Sequence, residues 1–169
     1  MKNANLIIHN IGRLHTCASP TPKRGDALRD LGTLTDAAIA IADEKIVAVG
    51  DSAEILATYQ SPHTLNARGN AAIPAFIDCH THIVYGGDRA HEFEMRIAGA
   101  SYMEIMAAGG GIVSTMRDTR TASPDELLMS AARRANMMTQ LGSTTIEVKT
   151  GYGLDVASEL KMLHAIERL

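Results

Sequence analysis

His80 and His82 stand one residue apart at the end of the apolar run "IDCHTH", residues 77–82, just before a loop rich in Gly, Asp and Arg. On a strand, side chains at i and i+2 share a face, so Asp78, His80 and His82 would line one side while Cys79 and Thr81 face the other. Two imidazoles so placed can hold Zn²⁺ or a similar ion through nitrogen at about 2.0–2.1 Å. An ion there would acidify bound water to a pKa near about 7 and supply a nucleophile at neutral pH. The same pair also reads as two structural histidines hydrogen-bonded where a strand surfaces. Asp78 and the polar loop that follows favour the metal.

Other residues could serve a ligand near such a strand end. Arg89, in "GGDRAHEF", suits a carboxylate, which a guanidinium grips with two parallel hydrogen bonds. With Asp88, Glu92 and Glu94 close by in sequence, a solvated salt bridge is the plain alternative for it. In "TTIEVKTGYGL", Thr145, Glu147 and Lys149 share one face of a strand and Ile146 and Val148 the other. Glu147 and Lys149 read as a structural ion pair, because unpaired buried charges are costly. Tyr152, between Gly151 and Gly153, sits in a turn just past that strand's end, where its hydroxyl reaches either a ligand or solvent. The run "AAGGGIVSTMRDTR" is not a phosphate loop: it lacks a GK[ST] ending and GxGxxG spacing, and it follows a helix. Met129, Met137, Met138 and Met162 read as core filler, and His164 as structural.

The elements that must carry these residues follow from pattern. "NLIIHNIGRL" and the two apolar runs around Asp43-Glu44-Lys45 predict strands, the second pair a hairpin ending at Gly50. "SPTPKRGDALRDLG" reads as a loop and "DSAEILATY" as a short helix. A domain boundary is expected near Asn70, giving units 1–70 and 71–169. Beyond it, "AFIDCHTH" predicts a buried strand, and "AHEFEMRIAG" and "SYMEIMAAGGG" predict short helices. Ser123, Pro124 and Glu126 form a capping box that opens the clearest helix. Leu127, Leu128, Ala131, Ala135 and Met138 recur along it as a buried stripe, and Gly142 stops it. "TTIEVKT" is then a strand and "DVASELKMLHAIERL" a helix. Strand, helix, strand, helix means βα units and a parallel sheet, an α/β fold.

Composition bounds the function classes. At 169 residues, 46% hydrophobic and 21% charged, the chain can bury a core and is not disordered. A net charge of -3 with scattered basic residues argues against nucleic acid and acidic membranes. The two cysteines, Cys17 and Cys79, form no CxxC pair, and nothing resembles a signal peptide or a membrane span, so a cytoplasmic protein is expected.

Longer segments carry a resemblance. "IPAFIDCHTH" resembles the first barrel strand of the amidohydrolase superfamily, metal hydrolases with a (β/α)₈ TIM barrel preceded by a small β-sandwich domain. "DCHTHIVYGGDRAHEFEMRIAGASYMEI", "AAGGGIVSTMRDTR" and "EVKTGYGLD" are similar to the imidazolonepropionase family within it. That resemblance implies zinc or iron, one ion per site, held in part by His80 and His82. It also implies Arg89 and Tyr152 as substrate-binding residues, and 4-imidazolone-5-propanoate as the substrate. The ring would open to N-formimino-L-glutamate, a step of histidine breakdown, and the full-length protein would be a homodimer. Lys149, on the second barrel strand, does not match the carbamylated lysine of binuclear relatives, which is a fourth-strand feature. The family's remaining ligands, a histidine and an aspartate on later strands, fall beyond Leu169. A closed barrel takes roughly 250 residues, so the barrel is expected to be incomplete and the isolated chain to show little or no turnover, with no catalytic group assigned within it. The alternatives are another cyclic-amide amidohydrolase or deaminase, and a non-catalytic half-barrel that binds metal or complements a partner.

Overall fold

The apolar run near the N-terminus becomes the long strand of a sheet in the computed structural model, which describes residues 1–169. After β1 (Lys2–Asn3), β2 (Leu6–His15) pairs antiparallel with β3 (Thr33–Ala42), and β3 pairs antiparallel with β4 (Lys45–Asp51). The hairpin turns on Asp43 and Glu44, with φ of 50° and 62°. Left-handed backbone at both central residues matches the twist of a tight hairpin. α1 (Ser52–Thr58) follows at once, because the Asp51 carboxylate accepts hydrogen bonds from the N–H groups of Ala53 and Glu54. Then β5 (Tyr59–Gln60) joins β1, while β6 (Thr64–Asn66) and β7 (Ala71–Ala72) run parallel beside β2. The polar segment read as a loop holds one 3₁₀ turn, Gly25–Arg29, with no buried residue.

Both faces of this sheet are apolar. Ile7, Ala38 and Ala40 pack with Ile55 of α1 on one face, and Ile11, Leu14 and Ala37 pack with Ile8, Ile39 and Ala72 on the other. These elements make one compact unit, Met1–Pro74, and Ala75–Leu169 makes a second.

The second unit runs β8 (Phe76–Thr81), α2 (Ala90–Ile97), α3 (Tyr102–Ala107), α4 (Ile112–Thr121), α5 (Pro124–Gln140), β9 (Ser143–Val148) and α6 (Val156–Glu167). β8 and β9 are parallel neighbours. α5 starts at the capping box that its sequence predicts: Ser123 Oγ accepts from Glu126 N–H, and the Glu126 carboxylate accepts from Ser123 N–H at 2.8 Å. Ser123→Ala is therefore expected to lower stability by about 1 kcal/mol, read as a lower denaturant midpoint in helical circular dichroism. The stripe Leu127, Leu128, Ala131, Ala135 and Met138 faces the core with Met162 and Ala165 of α6 and Ile146 and Val148 of β9. Gly142, with φ of 99°, turns the chain from α5 into β9 in a conformation that L side chains rarely adopt.

Two expectations are corrected and one unassigned segment gains an element. The strand expected to be buried, β8, has no buried residue, with Phe76 and Ile77 55% and 73% exposed. Met129 and Met137 lie on the outer face of α5, 64% and 57% exposed, so only Met138 and Met162 fill the core. The segment after the triple glycine is a helix, α4, whose buried residues are Thr115 and Thr119 rather than apolar ones. No helix of the chain is long and apolar enough to cross a membrane.

Candidate metal and substrate site

β8 carries His80 near its end, and His82 follows directly after it. Asp78 lies opposite Ile146 and Thr81 opposite Val148, so β8 takes three steps where β9 takes two, a bulge around Cys79 and His80. Bulges re-aim side chains at strand ends. Asp78 does not join the histidines as the alternation predicts; its carboxylate accepts a hydrogen bond from His80 N–H at 3.1 Å. The His80 and His82 rings lie 5.3 Å apart between centroids, at 62°. His82 Nδ1 is buried and has no hydrogen-bond partner in the chain. An unsatisfied buried polar atom costs about 1–3 kcal/mol, and a ring nitrogen in that condition suits ligation of an ion. Two adjacent imidazoles, one with an orphaned nitrogen, therefore fit a metal. No third histidine, cysteine or carboxylate completes a cluster with them.

His82 also lines a cleft of about 400 Å³ together with Tyr85, Asp88, Arg89, Thr115 and Tyr152. Arg89 immediately precedes α2 and points its Nε at Thr115 Oγ1, 3.0 Å away, and at Glu92 Oε1, 3.8 Å away. Asp88 accepts from Ala90 N–H and Glu94 pairs with His91, so Glu92 alone of the three nearby carboxylates forms an ion pair with Arg89. Tyr152 stacks obliquely on His82 at 5.4 Å and meets Tyr85 edge-on at 5.8 Å. Three of the four residues singled out from sequence thus share one cleft, and His80 does not line it but packs its ring beside His82.

The turn that holds Tyr152 is built by α6 and α4. Glu159 on α6 accepts from the N–H groups of Gly151, Gly153 and Leu154, each at 2.8 Å. Arg120 on α4 donates to Gly153 C=O at 2.7 Å and pairs with Asp155 at 2.9 Å. Partial burial pushes the Glu159 carboxyl up, but the donors from Leu154, Thr150, Gly151 and Gly153 outweigh it and hold the group below its ordinary value of 4.5. A depressed carboxylate stabilises the fold above its unfolded pKa and loses that contribution as pH falls through the folded value. Glu159→Gln turns one oxygen into a donor facing another donor. It is expected to cost about 1–3 kcal/mol at neutral pH, and the gap from wild type should narrow in unfolding titrations as pH drops through the carboxylate range. Gly151, at φ of 126°, puts backbone where a Cβ would lie 3.4 Å from His82 Cε1. Any side chain there would be strained and would crowd the imidazole.

Glu147 and Lys149 form the expected ion pair, partly exposed. The Lys149 hydrogen bond and charge hold the Glu147 carboxyl below the usual glutamate range, with His80 adding a smaller pull.

Five contributors are absent from the sequence reading: Tyr85, Thr115 and Arg134, together with Arg120 and Glu159, which hold the Tyr152 turn. Arg134 donates to the carbonyls of Ile83 and Tyr85 and lies 3.6 Å over the Tyr85 ring. Its position continues the inward stripe of α5, Leu127, Ala131, Arg134, Met138, and a charged residue on that stripe is the signal that marks it. Thr115 sits in a helix whose buried face is polar, so apolar periodicity could not reveal it.

No family model matches the chain. It is 51% identical over 170 residues to the imidazolonepropionase of Chloroflexus aggregans, covering 100% of this chain and 40% of that protein. To the imidazolonepropionase of Herpetosiphon aurantiacus it is 50% identical over 169 residues, covering 100% of this chain and 39% of that protein. Among solved structures, an adenosine deaminase from Xanthomonas campestris with bound zinc superposes with a TM-score of 0.62 at 15% identity, covering 99% of this chain and 32% of that one. Ochratoxinase of A. niger superposes with a TM-score of 0.53 at 23% identity, covering 99% and 29%. At these identities the likeness concerns fold alone: the chain shares the fold of about a third of each of these enzymes. Along its whole length the chain is similar to imidazolonepropionases, matching a portion of them at 50–51% identity in these two relatives. It spans about 40% of the length of the curated relatives it matches.

Proposed function

We propose that this chain supplies the first metal ligands and the carboxylate-binding group of an imidazolonepropionase, a hydrolase that opens 4-imidazolone-5-propanoate to N-formimino-L-glutamate. The observation that carries this reading is the meeting of His82, Arg89 and Tyr152, from three separate segments, in one cleft of about 400 Å³. His80 and His82 would hold one zinc or iron ion together with ligands from elsewhere in the complete protein. Two imidazoles suit either metal, and a catalytic zinc site usually has three protein ligands. When bound, the ion would polarise the ring carbonyl as a Lewis acid and lower the pKa of the attacking water.

The chain's own residues orient the substrate. Arg89 holds the propanoate carboxylate through its terminal nitrogens, and Tyr152, fixed by Glu159, closes the side of the cleft against His82. Hydrogen bonding of that kind sets the ring carbonyl at the histidine end, and a bound substrate so aligned reacts faster for reasons of geometry alone. β8 and β9 with their helices fit the opening of a (β/α)₈ barrel, with the site at the C-terminal ends of the strands. Phe76 and Ile77 on β8 are 55% and 73% exposed, which supports further strands as their cover. The sheet of the unit Met1–Pro74 would be part of a composite β-sandwich. The same resemblance implies a cytoplasmic homodimer.

The test is hydrolysis of 4-imidazolone-5-propanoate by the complete protein encoded in the reading frame that contains this chain. Turnover is expected, with selectivity against an imidazolone whose side chain carries no charge. Equal turnover of both compounds would point to a different cyclic-amide amidohydrolase, and a metal-loaded protein inert to both would leave a binding role.

A further inference from the structure

The Arg89 guanidinium is held before any ligand arrives. Its Nε donates to Thr115 Oγ1 at 3.0 Å and lies 3.8 Å from Glu92 Oε1. Both partners are buried, Thr115 6% and Glu92 8% exposed. Glu92 is itself fixed, accepting from Gly111 N–H at 2.7 Å. Gly111 is the residue on which α4 starts, and Thr115 is the first buried residue along that helix. One network therefore joins the loop after β8, α2 and the start of α4. A second hydroxyl on the same face, Thr119 Oγ1, accepts from Gly86 N–H at 3.0 Å and anchors the loop that leads to Arg89.

A guanidinium has two kinds of edge, one including Nε and one formed by the two terminal nitrogens. The contacts that hold Arg89 both use Nε, which leaves the terminal pair for a ligand. A free arginine side chain loses considerable rotamer entropy when it binds, and one already fixed along one edge loses less. We propose that Thr115 is a positioning residue for Arg89: its hydroxyl, with Glu92 beside it, turns the guanidinium so that the terminal nitrogens meet a carboxylate end-on. This rests on the reading of Arg89 as the carboxylate-binding group. It also gives the buried hydroxyl at 115 a role on α4, since an apolar side chain there would leave Nε without its acceptor.

The test compares Thr115→Val, which keeps the shape and loses the acceptor, with Thr115→Ser, which keeps the hydroxyl. Both are measured in the complete protein with the propanoate substrate and with an analogue bearing an uncharged side chain of the same length. Thr115→Val should raise KM for the propanoate substrate about tenfold, the scale of one mispositioned charge-assisted hydrogen bond. Its kcat should change far less, its KM for the uncharged analogue should stay at the wild-type value, and Thr115→Ser should restore binding. Thr115→Ala, which adds no bulk, gives the same reading if the valine variant does not fold. A KM that rises equally for both compounds would mean a general structural role and overturn the assignment. So would wild-type KM in Thr115→Val while Arg89→Ala is impaired. If Arg89→Ala itself binds the propanoate normally, the carboxylate site is wrong, and that failure is distinct from a failure at Thr115.

Discussion

His82→Ala in the complete protein is expected to lower ring opening by at least about 10³-fold while leaving the fold intact. Loss of a metal's Lewis-acid stabilisation costs several kcal/mol, and each 1.36 kcal/mol is tenfold in rate. Stability should move little. The ring packs beside Tyr152 and Gly151, but it also carries a buried nitrogen with no partner, so truncation removes a penalty along with the packing. A purely structural histidine would give the opposite pattern, a less stable protein with near-normal turnover. Thermal unfolding and single-turnover kinetics on one preparation separate the two.

Arg89→Ala is the second large effect, expected at about 10²-fold in kcat/KM for the propanoate substrate. Truncating one partner of a hydrogen-bonded charge pair costs about 2–5 kcal/mol, part of it the penalty on the group left unpaired. Here the removal also leaves Glu92 buried with its carboxylate facing no cation, so some destabilisation should accompany the kinetic loss. Arg89→Lys should recover little. A lysine ammonium is a point charge without the fork geometry, and it cannot satisfy Thr115 Oγ1 and a carboxylate in one plane. An uncharged analogue should be turned over equally by wild type and Arg89→Ala, which ties the effect to the carboxylate.

Much of the second unit was legible because its elements obey local rules. The capping box at Ser123 and the Leu127-to-Met138 stripe specify α5 without reference to anything distant, and in the first unit the two apolar runs on either side of Asp43-Glu44-Lys45 give the β3–β4 hairpin. HxH, Arg89 and Tyr152 stood out through residue type and through segments similar to a known family. The parts that were not legible depend on partners far apart in sequence. α4 has β-branched residues, a glycine at its start with no side-chain cap, and a buried face of two threonines. It therefore lacks a side-chain cap and an apolar stripe, and Gly86, Arg89 and Lys161 bond to it from distant segments. The strand alternation that aligned Asp78 with the histidines failed for a similar reason. A bulge is set by the register against β9, and the sequence of β8 alone does not contain it.

Metal content tests the central claim most directly. Elemental analysis of the purified complete protein, beside a His80→Ala/His82→Ala double variant of the same fold, should find one zinc or iron ion per chain in the first and none in the second. An equal, stoichiometric ion in both would contradict the account, because His80 and His82 would then be no part of the metal site.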